Sequence, residues 1–157
     1  MSTTVAPPQP PTTARADLET SLVLQAELKA RINGEVRFDR TSRMLYSTDA
    51  SNYQIEPVGV VIPRSLDDAM GAIELAASHG VPVLPRGGGS SLAGQTVGAA
   101  LVIDFSKYLA RIIDLNVEEG TVLAEPGLNL DIFRLGQPRP EHRSSARCNG
   151  GWYSCSS

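Results

Sequence analysis

The chain is poor in the side chains that metal and nucleic-acid chemistry require. Its 157 residues include two His and two Cys, and the cysteines, Cys148 and Cys155, have six residues between them. That separation fits no common zinc-binding spacing. The 14 Lys and Arg residues are outnumbered by 17 Asp and Glu residues, for a net charge of -3. Because a phosphate backbone is bound by clustered cations, we predict neither a metal site nor a nucleic-acid partner.

Long apolar runs are also lacking. No window approaches the roughly 18 consecutive apolar residues of a membrane-spanning helix, so no membrane span is predicted. The N-terminus has no charged-then-apolar layout of a secretory signal, and the expected location is cytoplasmic. Residues 1–16 are rich in Pro, Ser and Thr and have too little apolar surface to offset ordering entropy, which predicts a disordered tail. A proline-motif ligand is the alternative function for that tail.

The most informative segment is a glycine-rich loop. The apolar run 81–85 leads into Arg86, three consecutive glycines, two serines and a fourth glycine. Glycine adopts positive φ at little cost and lets the backbone approach a ligand closely, so successive amides can converge on phosphate oxygens. We predict an anion-binding loop, with a plain flexible turn as the alternative. The predicted contact residues are Arg86, Gly87, Gly88, Gly89, Ser90, Ser91, Gly94 and Gln95.

Two common nucleotide-binding motifs do not fit this loop. A P-loop ends in Gly-Lys-Ser/Thr, whereas Gly94 is followed by Gln95 and Thr96, which argues against ATP or GTP hydrolysis. The Gly-x-Gly-x-x-Gly spacing of a dinucleotide-binding Rossmann fold is absent, and no helix-period run follows the loop.

Apolar periodicity predicts two helices. One spans about residues 17–32, with an apolar face formed by Leu18, Leu22, Leu28 and Ile32, and ends at Asn33-Gly34. The other begins after Ser65, with Asp68 as the acidic partner of a capping box, and stops at Gly80. Its predicted apolar face consists of Leu66, Ala69, Met70, Ile73, Ala76 and Ala77. His79 is predicted to cap the end of this helix rather than to act as a base.

The second helix lies between the apolar runs 58–62 and 81–84, which predicts a βαβ unit with a parallel strand pair. Beyond the glycine loop, residues 101–105, 111–116 and 121–125 are predicted strands, the last two joined by a hairpin at Glu118-Glu119-Gly120. The predicted fold class is therefore α+β, a βαβ unit followed by antiparallel strands. The two glutamates belong to a solvated turn, and no catalytic residue is predicted.

Several of these segments together resemble a known family. Residues 85–95, 46–53, 60–64, 101–106 and 125–127 are similar to FAD-linked oxidases with a PCMH-type (vanillyl-alcohol oxidase type) FAD-binding domain, especially the glycolate oxidase and D-lactate dehydrogenase branch. The resemblance covers about residues 35–133. It implies that the glycine loop binds the FAD pyrophosphate and that Pro126 and Gly127 line a second side of the dinucleotide. Family members with covalent flavin carry His where Ser90 stands, so the resemblance implies non-covalent FAD.

The resemblance also implies an activity, the oxidation of a small 2-hydroxy acid by FAD. A sugar or a lignin-related alcohol is the alternative substrate. The family requires a whole FAD domain plus a substrate-capping domain, so we expect residues 17–133 to be a partial FAD domain that is inactive alone. Two other interpretations are a non-enzymatic remnant without tight flavin binding and a stand-alone nucleotide-binding module.

Residues 134–157 do not resemble the family. They are rich in Arg, Pro, Ser and Cys with almost no apolar periodicity, and we expect an aberrant, disordered tail. Read one base later, the codons for residues 149–153 permit Thr-Val-Gly-Gly-Ile, which matches the family. We therefore expect a one-base insertion or deletion near the codons for residues 133–138. The alternative is a genuinely short protein with a basic tail.

Overall fold

The computed structural model describes residues 18–130. The predicted tails, residues 1–16 and 134–157, lie outside the described residues, and the three-part division of the chain stays a prediction. Helices and strands follow in the order α1 (Leu18–Arg31), β1 (Glu35–Arg37), α2 (Arg40–Leu45), β2 (Gly59–Ile62), α3 (Leu66–Ser78), β3 (Val83–Arg86), β4 (Leu101–Asp104), β5 (Ile112–Asn116) and β6 (Thr121–Ala124). The predicted helices and strands are present, whereas β1 and α2 were not predicted.

The main sheet has the strand order β1-β2-β4-β3. β1 is antiparallel to β2, and β4 is parallel to both β2 and β3. The predicted α+β fold class and its βαβ unit are confirmed, since β2 and β3 are both parallel to β4 in one sheet. Two details are corrected: β4 lies between β2 and β3, so these two are not neighbours, and β4 is not an antiparallel strand. All four residues of β2 and of β4 are buried, which is the pattern of central parallel strands covered on both faces. β1 and β3 are the partly exposed edge strands.

The predicted hairpin is confirmed. β5 and β6 form a separate two-stranded antiparallel sheet with an irregularity between Ile112 and Asp114. The turn between them places Gly120 at φ +62°, a conformation that glycine adopts without strain.

The core lies on both faces of the main sheet. On one face α1 and α3 pack against Val61, Leu101 and Ile103. On the other face Val60, Ile62 and Val102 form a second cluster. The alternation along β2 follows from the two-residue period of a strand.

The predicted helix faces are correct in part: Leu28 of α1, Ile32 directly after it, and Ala69 and Ala76 of α3 are buried as predicted. In α1, Leu24 and Leu28 are fully buried, whereas Leu22 is 58% exposed. In α3, small residues are buried and larger ones face outward. The buried set is Ala69, Gly71, Ala72 and Ala76, and the exposed set is Leu66, Met70 and Ile73. A Cβ at Gly71 would lie 3.5 Å from Ile32 Cγ2, so small residues let α3 approach the residue that follows α1.

The ends of α3 were predicted correctly, apart from one detail. The Ser65 hydroxyl accepts a hydrogen bond from the Asp68 amide at 3.1 Å, and Gly80 follows the helix with φ +65°. The Asp68 carboxylate does not complete a capping box. It accepts instead from the Arg64 amide at 3.0 Å and from the Asn33 amide at 2.9 Å, and it therefore ties the end of α1 to the start of α3.

Candidate functional site: the glycine loop and its supporting segment

The glycine loop, residues 87–96, begins at the carboxyl end of β3. The Phe105 amide donates to the Arg86 carbonyl oxygen at 3.0 Å, so the loop starts beside the end of β4. Residues 87–100 contain no helix, as predicted. Ligands of open α/β sheets bind outside the carboxyl ends of the strands, and this loop occupies that edge.

The glycines of the loop have two different roles. Gly89 and Gly94 have φ of +66° and +77°, where L side chains are strained. A Cβ at Gly94 would also lie 2.6 Å from Tyr53 Cδ2, and one at Gly89 would lie 2.9 Å from Arg86 Cζ. Gly87 and Gly88 do not have positive φ, and a Cβ on either would meet nothing within 4 Å. The fold therefore requires glycine at 89 and 94 but not at 87 and 88.

The amides of residues 87–92 form a continuous run of unpaired donors. Within the described part of the chain, none of these six N–H groups has a hydrogen-bond acceptor, whereas the amides of Ala93, Gln95 and Thr96 each have one. Consecutive backbone donors of this kind bind anions when they converge.

The Arg86 side chain lies under the loop. Its guanidinium donates to the carbonyl oxygens of Thr48 at 2.9 Å, Thr96 at 3.1 Å and Tyr46 at 3.4 Å, and it lies over the Tyr46 ring. Arg86 thus links the two ends of the loop to an earlier segment while leaving its positive charge at the base of the loop.

The hydroxyl groups of the loop differ in their contacts. Ser91 Oγ donates to the Gln95 side-chain oxygen and accepts from the Gln95 amide at 3.1 Å. This is the local side-chain to backbone bonding that characterises turns. Ser90 is exposed and has no such bond among residues 18–130. Ser91 and Gln95 consequently close the loop on itself, and Ser90 projects from it.

Residues 46–54 form a supporting segment against the loop. The Ala50 amide donates to the Gly89 carbonyl oxygen at 3.1 Å, and Thr96 Oγ1 donates to Asp49 Oδ2 at 2.9 Å. Hydrogen bonds from Ser51, and secondarily from Thr96, lower the pKa of Asp49 to about 2. The residues of this segment carried the family resemblance, but no contact with the loop was predicted, because such contacts join positions about 40 residues apart.

The supporting segment is also tied to β4. The Tyr46 hydroxyl donates to the buried carboxylate of Asp104 at 2.5 Å. Burial, and then this hydrogen bond, raises the pKa of Tyr46. Tyr46 is therefore a neutral donor that fixes the start of the segment on the strand beside the loop.

Pro126 and Gly127 follow β6 and pack against residues 105–109, the turn that follows β4. The Gly127 amide donates to the Leu109 carbonyl oxygen at 2.8 Å, and a Cβ at Gly127 would also overlap the Phe105 carbonyl. Close backbone packing thus accounts for this glycine. Because β3 and β4 are parallel neighbours, this turn and the glycine loop occupy the same edge of the sheet.

His79 is a helix cap, as predicted. It ends α3, and its Nε2 lies 2.8 Å from Glu27 Oε2 of α1. This contact is on the helix layer, whereas the glycine loop is at the carboxyl end of the sheet. Among residues 18–130, no helix is long and apolar enough to cross a membrane.

Comparison with known proteins agrees with this geometry. Residues 57–134 match the family model described as FAD binding domain. The chain is 39% identical over 101 residues to D-2-hydroxyglutarate dehydrogenase of Escherichia coli, which covers 62% of this chain and 10% of that protein. It is 34% identical over 110 residues to glycolate oxidase subunit GlcD of Bacillus subtilis, covering 66% of this chain and 23% of that protein. The chain thus spans less than a quarter of these relatives.

The fold is also that of a solved flavoenzyme. 4-ethylphenol oxidase from Gulosibacter chungangensis superposes with a TM-score of 0.56 at 20% identity, over 72% of this chain and 23% of that one. The fold and the loop define a segment of a flavin-binding domain. The chain belongs to the FAD-linked oxidases with a PCMH-type FAD-binding domain.

Proposed function

We propose that this chain binds FAD and that the amides of residues 87–92 hold the pyrophosphate. The observation that carries the proposal is the run of six amides without acceptors among the described residues. A pyrophosphate presents several anionic oxygens, and hydrogen bonds to charged acceptors are about twice as strong as neutral ones. Arg86 contributes positive charge beneath the loop, and Gly87 and Gly88 leave the approach to the amides open.

The other predicted contact residues are assigned roles around a pyrophosphate held by these amides. Gly89 and Gly94 shape the loop, and Ser91 with Gln95 closes it. Ser90 projects from the loop as a hydroxyl donor to the pyrophosphate. Because Ser90 stands where family members with covalent flavin carry His, FAD is proposed to be non-covalent. Pro126 and Gly127 would line the dinucleotide from the neighbouring turn.

For the activity we propose oxidation of a small 2-hydroxy acid to the 2-oxo acid. Support comes from the names of the two relatives, which specify 2-hydroxyglutarate and glycolate. Bound FAD would supply the hydride acceptor for this oxidation. The residues of this chain would bind and orient the cofactor, and no described residue is assigned to the substrate.

A ligand series tests the cofactor proposal. Titration of the purified chain should show binding of FAD and of ADP, which carry the pyrophosphate, and much weaker binding of FMN and riboflavin, which do not. Equal binding of riboflavin and FAD would contradict a pyrophosphate site. After acid precipitation the flavin should remain in the supernatant, because non-covalent FAD is released when the protein denatures; yellow colour in the pellet would indicate a covalent bond.

The substrate class is tested separately. Because residues 17–133 are expected to be inactive alone, the test uses the protein translated in the alternative frame proposed for the codons after residue 133. Glycolate, D-lactate or 2-hydroxyglutarate added anaerobically to this FAD-loaded protein should bleach the flavin absorbance. Bleaching by a phenolic alcohol or a sugar, and by none of these acids, would replace the proposed substrate class.

A further inference from the structure

The supporting segment, residues 46–54, contacts the glycine loop at its middle and at its end. At the middle, the Ala50 amide donates to the Gly89 carbonyl oxygen at 3.1 Å. At the end, Thr96 is held through each of its polar groups. Its hydroxyl and amide donate to Asp49 Oδ2 at 2.9 and 3.4 Å, and its carbonyl oxygen accepts from Arg86 at 3.1 Å.

The Asp49 carboxylate is fully used by these contacts. Oδ2 takes both Thr96 donors, and Oδ1 accepts from the Ser51 amide at 2.9 Å and from the Ser51 hydroxyl at 2.5 Å. Two of the four donors are backbone N–H groups, which cannot reverse their role. An asparagine in this place would have to turn its NH2 group toward one of those N–H groups. An acid at position 49 is therefore required for both contacts at once.

Asp49 forms no hydrogen bond with the loop amides that are proposed to bind the pyrophosphate. Asp49 engages the Thr96 end of the loop, and the amides of residues 87–92 stay without acceptors among residues 18–130. A loop fixed at its end and middle retains one arrangement of these amides before a ligand arrives, and such preorganisation reduces the ordering cost of binding.

We propose that Asp49 is a positioning residue of the cofactor site: by holding Thr96 it fixes the glycine loop in the conformation that presents the amides of residues 87–92 to a pyrophosphate. Asp49 does not touch the ligand in this role. The proposal rests on the proposed binding of FAD, but its structural half, the immobilisation of the loop, can be measured without FAD.

Four variants test it in the full chain. Asp49→Asn removes one acceptor, and Thr96→Val removes the hydroxyl at nearly constant volume. Thr96→Ser is the rescue variant because it keeps the hydroxyl. Asp114→Asn is the matched control, since Asp114 is exposed on the β5–β6 hairpin and its replacement changes the net charge equally.

Two measurements are made on each variant: amide hydrogen exchange at Ala50, Gln95 and position 96 without ligand, and the dissociation constant for FAD. These three amides are chosen because they are hydrogen-bonded within the loop or between the loop and the supporting segment. We expect Asp49→Asn and Thr96→Val to exchange these amides faster and to bind FAD about tenfold more weakly, or about 1.4 kcal/mol. Thr96→Ser and Asp114→Asn should behave like the wild type. Exchange in α1 and α3 should be unchanged in all four, which a general loss of stability would not allow.

The outcomes separate the two proposals. Wild-type exchange and wild-type affinity in Asp49→Asn and Thr96→Val would overturn the positioning role, as would faster exchange with unchanged affinity. If Asp49→Asn does not fold, the Thr96→Val and Thr96→Ser pair decides. If the wild-type chain binds no FAD, the proposed function fails, and faster ligand-free exchange in Asp49→Asn would still support the immobilisation of the loop by Asp49.

Discussion

Gly88 and Gly89 are adjacent, and we expect the same substitution at the two positions to have opposite effects. Gly88 lacks positive φ and has open space where a side chain would stand. Gly89 has φ +66°, and the Arg86 guanidinium occupies the space that a Cβ would need. Gly88→Val should therefore leave the fold intact and prevent FAD from reaching the loop amides. Gly89→Val should destabilise the fold itself.

The expected magnitudes follow from these surroundings. At Gly88, where the substitution resembles an ordinary surface change, the free energy of unfolding should change by no more than about 0.5 kcal/mol. Loss of two charge-assisted hydrogen bonds to the pyrophosphate, at about 1.5–3 kcal/mol each, should weaken FAD binding by more than about 100-fold. At Gly89, the left-handed backbone costs about 1–3 kcal/mol, before any displacement of Arg86 is added.

The assay compares both variants on the same samples. Thermal unfolding by circular dichroism gives stability, for which about 1 kcal/mol corresponds to about 4–8 °C in a domain of 60–100 residues. Equilibrium titration gives FAD affinity. Gly88→Ala is the intermediate case, with a smaller group at the same place. Full FAD affinity in Gly88→Val would refute the reasoning, because the glycine run would then be a plain turn.

Three further changes test the packing and electrostatics. Leu24→Ala should cost about 2–5 kcal/mol in urea unfolding because Leu24 is fully buried, and Leu22→Ala, an exposed control in the same helix, less than about 0.5 kcal/mol; equal costs would contradict the observed helix face. Gly127→Ala should lower the urea midpoint, because the added methyl group would overlap the Phe105 and Leu109 carbonyls. Overpacking of this kind lowers the free energy of unfolding by about 1–3 kcal/mol, and an unchanged midpoint would show that the backbone shifts to accommodate the methyl group. Hydrogen bonds from Lys107, then Tyr108 and Arg37, lower the pKa of Glu35 to about 2, whereas the pKa of an unfolded Glu is about 4.3. The ionised Glu35 therefore stabilises the fold fully above about pH 4.3, and this contribution is lost as the pH falls toward about 2. Urea midpoints at pH 5 and pH 3 should differ less in Glu35→Gln than in the wild type, and an equal difference would argue against this contribution.

The sequence predicted those features that depend on neighbouring residues. Ser65 before α3 and Gly80 after it mark the helix ends because a hydroxyl cap and a positive-φ glycine act within one turn of helix. The β5–β6 hairpin was predicted from alternating residues around Gly120 for the same reason. The glycine run likewise identified the loop as a place where amides are accessible.

Periodicity predicted the helix faces only in part. α3 carries large apolar residues on one side and Ala and Gly on another, and the predicted face combined the large residues with Ala69 and Ala76. Close packing against the sheet and α1 favours the small ones instead. In α1 the predicted face included Leu22 and omitted Leu24, although Leu24 is the buried residue of the two.

Tertiary structure alone decided the sheet order and the support of the site. The sequence of residues 101–104 does not predict that β4 lies between β2 and β3, because strand neighbours are determined by long-range packing and not by local pattern. The same holds for Asp49, whose bond to Thr96 spans 47 positions, and for Arg86, whose donors face carbonyls of the supporting segment. The sequence by itself determined that a glycine-rich loop with accessible amides follows a strand. The fold determined which of its glycines are structural, which leave room for a ligand, and which side chains hold the loop in place.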